Sequence, residues 1–270
     1  MRHRLLLVGM VALVAESSTR AESMLATRTG DEFGLSLSSY RYQEPGFMSN
    51  RGPKVGLDLR KTKAFQNTFF VRGDLRFAIG SVDYYAPTAG SATGQPDFYI
   101  ETRGIVGKDE TVGVSVLSVY AGLGYRYLYN DARGLTSGGA VGYRRESNYL
   151  YLPIGVIHRI ALDEQARLVS EVEYDQWLVG QQLSKLSDNG LGWSDSKNFQ
   201  HSGYGIKLSV RYEQANWAVG PYAHYWNVGD SFIVPLYQNG RPVYKNGLQA
   251  GWQEPKNNTL EFGLKVSRQF

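Results

Sequence analysis

Hydrophobic and polar residues alternate with a period of two along most of the chain, and no long stretch keeps a helical period. The segment 204–212 shows the pattern clearly, because Ile206, Leu208 and Val210 are separated by single residues that are polar or charged. Ten segments of this kind follow one another: 33–42, 54–60, 69–82, 98–106, 117–129, 149–160, 168–182, 204–212, 217–228 and 259–270. They predict about ten amphipathic β-strands. Eight or twelve strands are also compatible, because strand boundaries read from a sequence are uncertain by about two to four residues.

The connections between these segments alternate in length. Short ones fall near 64–67, 108–111, 163–165 and 215–216, and long ones near 45–53, 85–97, 131–147, 184–202 and 239–258. Short turns at one end and long loops at the other are typical of bacterial transmembrane β-barrels. A soluble β-sandwich has no reason to separate its loops by length in this way. The pattern therefore predicts an all-β, closed, antiparallel transmembrane barrel with short periplasmic turns and long extracellular loops.

The last strand carries a candidate assembly signal. Phe262, Leu264, Val266 and Phe270 share one face, and polar or small residues such as Glu261 and Gln269 occupy the other. This tail resembles the C-terminal signature of Gram-negative outer-membrane β-barrels, which their assembly machinery reads. Arg268 departs from the signature, since a second aromatic residue usually stands there.

The first residues have the order of a secretory signal peptide. A basic start at 1–4 precedes an apolar run at 5–14, and small and polar residues follow up to Ala21. The run is too short to span a bilayer as a helix, which takes about 20 apolar residues. We therefore predict a signal peptide at 1–21, with cleavage within a few residues of Ala21, and a single barrel domain at 22–270. The chain has no cysteine, so it has neither a disulfide nor a lipid anchor on cysteine.

Composition narrows the class of protein. The mean hydropathy of −0.34 is that of a soluble protein, which also suits a barrel in which only alternate residues face lipid. The 19 Tyr and 31 Gly against 9 Pro favour strands and tight turns. The net charge of +4 comes from Lys and Arg scattered among acids. Without a basic run, it does not indicate nucleic-acid binding.

If the apolar face of each strand meets lipid, the opposite face lines a densely charged lumen. Its predicted charge network is Asp58, Arg60, Arg72, Asp74, Arg76, Glu101, Arg103, Glu171, Glu173, Asp175, Lys207 and Arg211. Lys54, Glu213, Glu261 and Lys265 share this face. We expect Glu171, Glu173 and Asp175 to pair with Lys207 and Arg211 on the next strand, since cross-strand residues stand about 5 Å apart. Side chains can fill a barrel of this size, so we expect a largely plugged lumen. A narrow ion-conducting pore, or a polar cavity opening outward, is the alternative.

Catalytic chemistry has few candidates. Ten strands is also the size of the omptin proteases, outer-membrane barrels that use an Asp–His pair facing an acidic pair at the extracellular rim. The histidines after the predicted signal peptide are His158, His201 and His224, and no omptin-like motif surrounds them. Metal-ligand clusters, phosphate-binding glycine loops and nucleophile elbows are also absent from the sequence. We therefore expect no enzyme activity, no cofactor and no metal.

As a whole, the region after residue 21 resembles the small Gram-negative outer-membrane β-barrel proteins. The resemblance implies insertion by the barrel-assembly machinery and contact with outer-membrane lipid and lipopolysaccharide. We expect a non-enzymatic surface or envelope protein, with adhesion or a narrow pore as its role and an unknown extracellular ligand. The alternatives are an omptin-like hydrolase with its site at the extracellular rim, or a narrow ion-conducting porin.

Overall fold

The computed structural model describes residues 24–270, so the predicted signal peptide at 1–21 lies outside the described residues. The barrel wall consists of long antiparallel strands that follow the chain. They are β1 (Gly30–Glu44), β2 (Met48–Ala64), β3 (Phe69–Ala86), β4 (Gly90–Val112), β5 (Ser115–Leu135), β6 (Val141–Ala161), β7 (Ala166–Ser184), β8 (Ser196–Gln200), β9 (Gly203–Gln214), β10 (Trp217–Val228) and β17 (Asn257–Gln269). The short strand β8 pairs with the end of β7 and continues the line of β9 after a break at 201–202.

The sheet closes on itself. Neighbouring strands pair in chain order from β1 to β7, β7 pairs with β9, β9 with β10, and β10 with β17. The barrel is sealed where β17 returns to β1, with Leu37 opposite Leu264 and Leu35 opposite Val266. The predicted closed, ten-stranded antiparallel barrel is confirmed. Each predicted segment lies within a strand of the wall, except that Phe270 follows the last one.

The two ends of the barrel differ. The turn end carries the short connections 65–68, 113–114, 162–165 and 215–216, and the loop end carries the others. Strands reach further toward the loop end than the sequence indicated, so 45–53, 85–97 and 131–147 are mostly strand. Gly46 and Gly90 have φ of 82° and 83°, a conformation that glycine adopts at no steric cost and that permits these reversals. The long connections at this end are 185–195 and 229–256.

The connection 229–256, here called the lid, is built from six two-residue strands. They are β11 (Val234–Pro235), β12 (Tyr237–Gln238), β13 (Arg241–Pro242), β14 (Tyr244–Lys245), β15 (Leu248–Gln249) and β16 (Gly251–Trp252). β11 pairs with β16 at the base, and β12–β13 and β14–β15 form two hairpins above it. Across residues 24–270, no helix is long and apolar enough to cross a membrane.

The two faces of the wall follow the predicted alternation. Outward residues are apolar and exposed, for example Leu57 at 43%, Leu208 at 46% and Phe262 at 58%. Inward residues are polar or charged and buried, for example Glu173 at 1% and Arg126 at 0%. This is the reverse of a soluble protein, in which the apolar face is the buried one. It places the charged groups in the lumen.

Candidate functional site

A network of ion pairs, here called the belt, fills the middle of the lumen. Lys207 lies at its centre. Its Nζ is 2.5 Å from Glu101 Oε1, 3.1 Å from Glu173 Oε1 and 3.3 Å from Asp175 Oδ2. Glu101 also accepts a hydrogen bond from Arg126 at 2.6 Å. Three buried carboxylates thus share the positive charge of one ammonium group. Asp175 has no other ion pair in the described chain, and neither of its carboxylate oxygens accepts a hydrogen bond there.

A second group of contacts surrounds Arg76. Its guanidinium lies 2.8 Å from Asp58 Oδ2 and 2.8 Å from Glu261 Oε1. It also donates to the hydroxyls of Tyr99 at 2.6 Å and Tyr222 at 2.5 Å. Bonds from a charged donor to buried carboxylates are stronger than neutral hydrogen bonds. Arg76 therefore ties β3 to β2, β4, β10 and β17.

Nearer the turn end, three arginines converge on Asp74. Its oxygens lie 2.7 Å from Arg60 Nε, 3.0 Å from Arg72 Nε and 2.9 Å from Arg103 Nε. Arg72 continues to Glu171 at 2.9 Å, and Arg103 donates to Glu173. Asp74 is thus the common acceptor of this part of the belt.

Several of these pairs join distant walls of the barrel. Arg72 on β3 meets Glu171 on β7, and Glu101 on β4 meets Lys207 on β9, with at least three strands between the partners in each case. The belt therefore spans the lumen instead of lining it. The described cavity beside the belt has a volume of about 80 Å³, which is room for a few water molecules.

All twelve residues of the predicted network take part in ion pairs inside the barrel. Their partners differ in part from the expected ones. Glu173 and Asp175 do contact Lys207, but Glu171 pairs with Arg72. Arg211 pairs with Glu32 and Glu213, each at 3.1 Å. The expectation that Arg211 would pair with the acids of β7 was wrong, because long side chains reach past the adjacent strand into the lumen.

The sequence reasoning placed Lys54 and Glu213 on the lumen face but omitted Arg126, Asp97 and Arg167. All five are buried and paired, Lys54 with Asp97, Arg167 with Glu213, and Arg126 with Glu101. Strict alternation could have found Arg126, since the outward residues Tyr125 and Tyr127 flank it. The partners of Arg167 and Lys54 needed the register of neighbouring strands, which the sequence does not display.

An aromatic layer lies on the loop-end side of the belt. Buried rings from β4, β6, β7 and β10 pack together, with ring centroids 4.7 Å apart for Tyr149 and Trp177 and 5.0 Å apart for Tyr151 and Trp226. The Arg126 guanidinium stacks 3.8 Å from the centroid of Tyr99, a cation–π contact that joins layer and belt. Beyond the layer, a cavity of about 30 Å³ shares no lining residue with the cavity at the belt. The layer separates the two.

The lid closes the loop end through a buried clamp. Arg145 on β6 donates to Glu44 on β1 and to Glu254 at the end of the lid. Ser231 and Trp252 of the lid accept further hydrogen bonds from Asn198, at 3.0 and 3.1 Å. Two carboxylates share one guanidinium, and burial together with the nearby Glu44 raises the pKa of Glu254 to about 7 despite Arg145. The clamp therefore holds a carboxyl group that titrates near neutrality.

The three histidines of the described chain lie in different parts of the barrel. His158 points outward near the turn end, and His201 lies on the outer surface with its ring 5.2 Å from Phe232. His224 faces the lumen, stacks 5.0 Å from Tyr222, and its Nδ1 has no hydrogen-bond partner in the described part of the chain.

The C-terminal residues proposed as an assembly signal all point outward. Phe262, Leu264, Val266 and Phe270 are 58%, 59%, 45% and 73% exposed. Arg268 shares their face, and its guanidinium lies 5.5 Å from the Trp217 ring and 5.4 Å from the Phe270 ring. Stacking on two aromatic rings lets this charge remain on an apolar face near the turn end.

Comparison with known proteins agrees with the fold. No family model matches the chain, and no curated protein matches it. Among solved structures, it is similar to the outer membrane protease OmpT from Escherichia coli, at 11% identity over 89% of this chain and 97% of that one, with a TM-score of 0.58. The β-domain of the Bordetella autotransporter BrkA matches at 14% identity, 90% and 100% coverage and a TM-score of 0.41. A major outer membrane protein from Thermus thermophilus matches at 13% identity, 89% and 99% coverage and a TM-score of 0.38.

The chain is thus a closed ten-stranded antiparallel β-barrel whose structural neighbours are outer-membrane β-barrel proteins. At 11% identity the likeness to OmpT concerns the fold alone, and the two lower scores carry no argument about this chain.

Proposed function

We propose that this protein is an integral outer-membrane barrel of a Gram-negative bacterium with a closed lumen, and that it acts through its loop-end surface as a non-enzymatic envelope protein. The observation that carries the proposal is the belt of ion pairs that crosses the lumen, backed by the aromatic layer. A conducting barrel needs a continuous aqueous path, whereas here the described cavities on either side of the aromatic layer are separate. Adhesion is the role that suits a closed barrel with an ordered lid.

The outward surface supports membrane insertion. The outer wall is covered by exposed aliphatic and aromatic side chains, for example those of Leu35, Leu57 and Leu264. The charged side chains lie inside. Such a surface is stable in hydrocarbon and not in water. With the turn end in the periplasm, the lid projects outside the cell. Outer-membrane lipid, lipopolysaccharide and the barrel-assembly machinery are the partners that this placement implies.

An omptin-like hydrolase is the second candidate, because the fold is similar to that of OmpT. A rim hydrolase needs a general base within hydrogen-bond reach of a water and of an orienting acid. His224 lies in the lumen among Tyr222 and the belt, and His201 lies on the outer surface. These positions favour the non-enzymatic proposal over the hydrolase. The aromatic layer between the two described cavities weighs against the narrow porin.

Two assays on the purified, refolded protein test the proposal together. In planar bilayers we expect no steady conductance, and in a peptide-cleavage assay we expect no turnover. Insertion is checked by mobility on gels that changes with boiling. Steady single-channel currents would replace the proposal with the narrow porin. Cleavage that is lost in His224→Ala but kept in His158→Ala would replace it with the hydrolase.

A further inference from the structure

The residues before β1 cross the mouth of the turn end. This segment, 24–29, is called the strap. Thr27 donates from its backbone N to Asp109 Oδ2 at 2.6 Å and from its hydroxyl to Asp109 Oδ1 at 2.9 Å. Arg159 on β6 donates to the same hydroxyl at 3.1 Å. Because β6 lies diametrically opposite β1 in the ten-strand ring, the strap spans the whole opening.

The strap is anchored at further points. Arg167 on β7 donates to the carbonyl oxygen of Met24 at 2.5 Å, and the backbone N of Ala64 donates to Thr29 Oγ1 at 3.0 Å. Leu25 is only 2% exposed. A segment that buries a leucine and hydrogen-bonds to four different strands is a fixed part of the mouth.

Between the strap and the belt lies a cavity of about 290 Å³. A single water needs about 10–15 Å³ of such space, so the cavity has room for a small ligand together with solvent. Six arginines line it, together with the acids Asp31, Glu32 and Glu213; the arginines are Arg28, Arg60, Arg72, Arg159, Arg167 and Arg211.

The arginines outnumber the carboxylates that neutralise them. Within residues 24–270, their ion-pair partners are five: Glu32, Asp74, Asp109, Glu171 and Glu213. Asp74 and Glu171 are shared with Arg103 as well. Asp31, at the edge of the cavity, pairs instead with the exposed Lys61 at 3.2 Å. The six arginines of the lining therefore share five side-chain carboxylates in a partly enclosed space.

Arg28 is exposed at the edge of the cavity and has the fewest protein partners of the six. It lines the cavity, and in the described chain it has one hydrogen bond, to the carbonyl oxygen of Met24 at 3.2 Å, and no ion pair. Arg167 donates to the same oxygen, so two guanidinium groups converge on one neutral acceptor. Partial burial and the charge of Arg167 lower the pKa of Arg28, against the attraction of Glu213. An anion beside these groups would relieve their repulsion.

We infer that the cavity behind the strap binds a small oxyanion, with Arg28 as its principal ligand and Arg159 and Arg167 beside it. Guanidinium groups present several N–H donors in a planar fork that matches the oxygens of phosphate or carboxylate. The strap supplies one wall of the site, since Thr27, Arg28 and Thr29 all line the cavity. The site is independent of whether the barrel conducts.

Inorganic phosphate is the probe for this site. Isothermal titration of the refolded protein at constant ionic strength, with sodium chloride as the balancing salt, should show saturable binding at one site. Arg28→Gln should weaken phosphate binding by about tenfold or more, because it removes the cation with the fewest other partners. Lys61→Gln is the matched control: it removes a cation from the same end that lies outside the cavity and pairs with Asp31.

Each variant is first shown to be folded by heat-modifiable mobility. Loss of binding in Arg28→Gln with unchanged binding in Lys61→Gln supports the site. Absence of saturable binding in the parent would overturn it, as would an Arg28→Gln variant that binds like the parent. Equal weakening in both variants would also overturn it, because it would mean that phosphate responds to the overall positive field of this end.

Discussion

At the scale of single residues, Lys207 contacts three carboxylates in the belt, and these carboxylates differ in what else they contact. Glu101 keeps Arg126 and Glu173 keeps Arg103 if the lysine is removed, whereas Asp175 is left with no cation. Removing one partner of a buried ion pair commonly costs about 3–5 kcal/mol. Replacing Lys207 should therefore destabilise the belt more than replacing Asp175, although the two residues contact each other.

We expect Lys207→Met to lower the free energy of unfolding by about 3–5 kcal/mol, and Asp175→Asn to lower it far less, since Lys207 retains Glu101 and Glu173. The double variant should be more stable than Lys207→Met alone, because the stranded carboxylate is gone. Urea unfolding followed by tryptophan fluorescence measures all three. A double variant that is less stable than Lys207→Met would contradict the assigned contact.

Phe270 gives a second prediction for single residues. Its side chain is 73% exposed on the outward face, so it contributes little burial within the barrel. We expect deletion of Phe270 to reduce the amount of protein in the outer membrane strongly, and Gln269→Asn to leave it unchanged. Immunoblots of membrane fractions measure both. Equal amounts of the two variants would mean that the tail is ordinary strand and carries no assembly signal.

At the scale of elements, the lid depends on a carboxyl group whose pKa is raised from 4.5 to about 7. A raised carboxyl pKa means that the closed lid binds a proton more tightly than the open one. The attachment of the lid is therefore strongest below about pH 4.5, weakens as the pH rises through 7, and is constant above that. Near neutral pH, Glu254 of this clamp therefore lies close to its own pKa.

We expect amide hydrogen exchange around Trp252 and Glu254, corrected for intrinsic rates, to be at least about tenfold faster at pH 8 than at pH 5, since one pKa unit corresponds to a tenfold change. Glu254→Gln should abolish this pH dependence. Asp188→Asn is the control, because hydrogen bonds from Arg144 lower the pKa of Asp188 to about 2, and it does not titrate in this range. A pH dependence that persists in Glu254→Gln would assign it to another group.

The elements of the wall could be predicted from the sequence because alternation is a local property. Leu208 and Lys207 point to opposite faces wherever the strand begins. The loop-end boundaries of the strands could not be predicted. The strands continue through residues such as Tyr84 and Asn130, beyond the part of the wall whose outer face is apolar. The lid escaped prediction for another reason: its two-residue strands are too short to show a period. The cross-lumen partners, such as Arg72 and Glu171, depend on which strands face each other once the barrel has closed.

At the scale of the whole molecule, the acids of β7 form ion pairs with basic side chains from three other strands. Glu171 binds Arg72, Glu173 binds Arg103 and Lys207, and Asp175 binds Lys207. The carboxylates come from one strand, whereas their partners come from β3, β4 and β9. Neutralising the acids of this one strand therefore removes carboxylate partners from three others.

We expect the variant Glu171→Gln, Glu173→Gln, Asp175→Asn to unfold at a lower temperature than the parent and, if a path opens, to show small anion-preferring currents in planar bilayers. The physical reason is the uncompensated positive charge left inside. The control changes two outward residues of the same strand, Val172→Ala and Tyr174→Phe, and should remain silent. A parent that already conducts, with only its ion preference altered in the variant, would mean that the charges line a working pore.

The cross-lumen pairs also bear on the shape of the barrel. A sheet rolled around an empty centre can flatten into an ellipse under the lateral pressure of a bilayer, since only backbone hydrogen bonds resist the change. Here Arg72–Glu171 and Glu101–Lys207 act as spokes that set the distance between remote walls. We expect the lengths of these side chains to hold the cross-section, and with it the rim below the lid, against changes in the surrounding lipid.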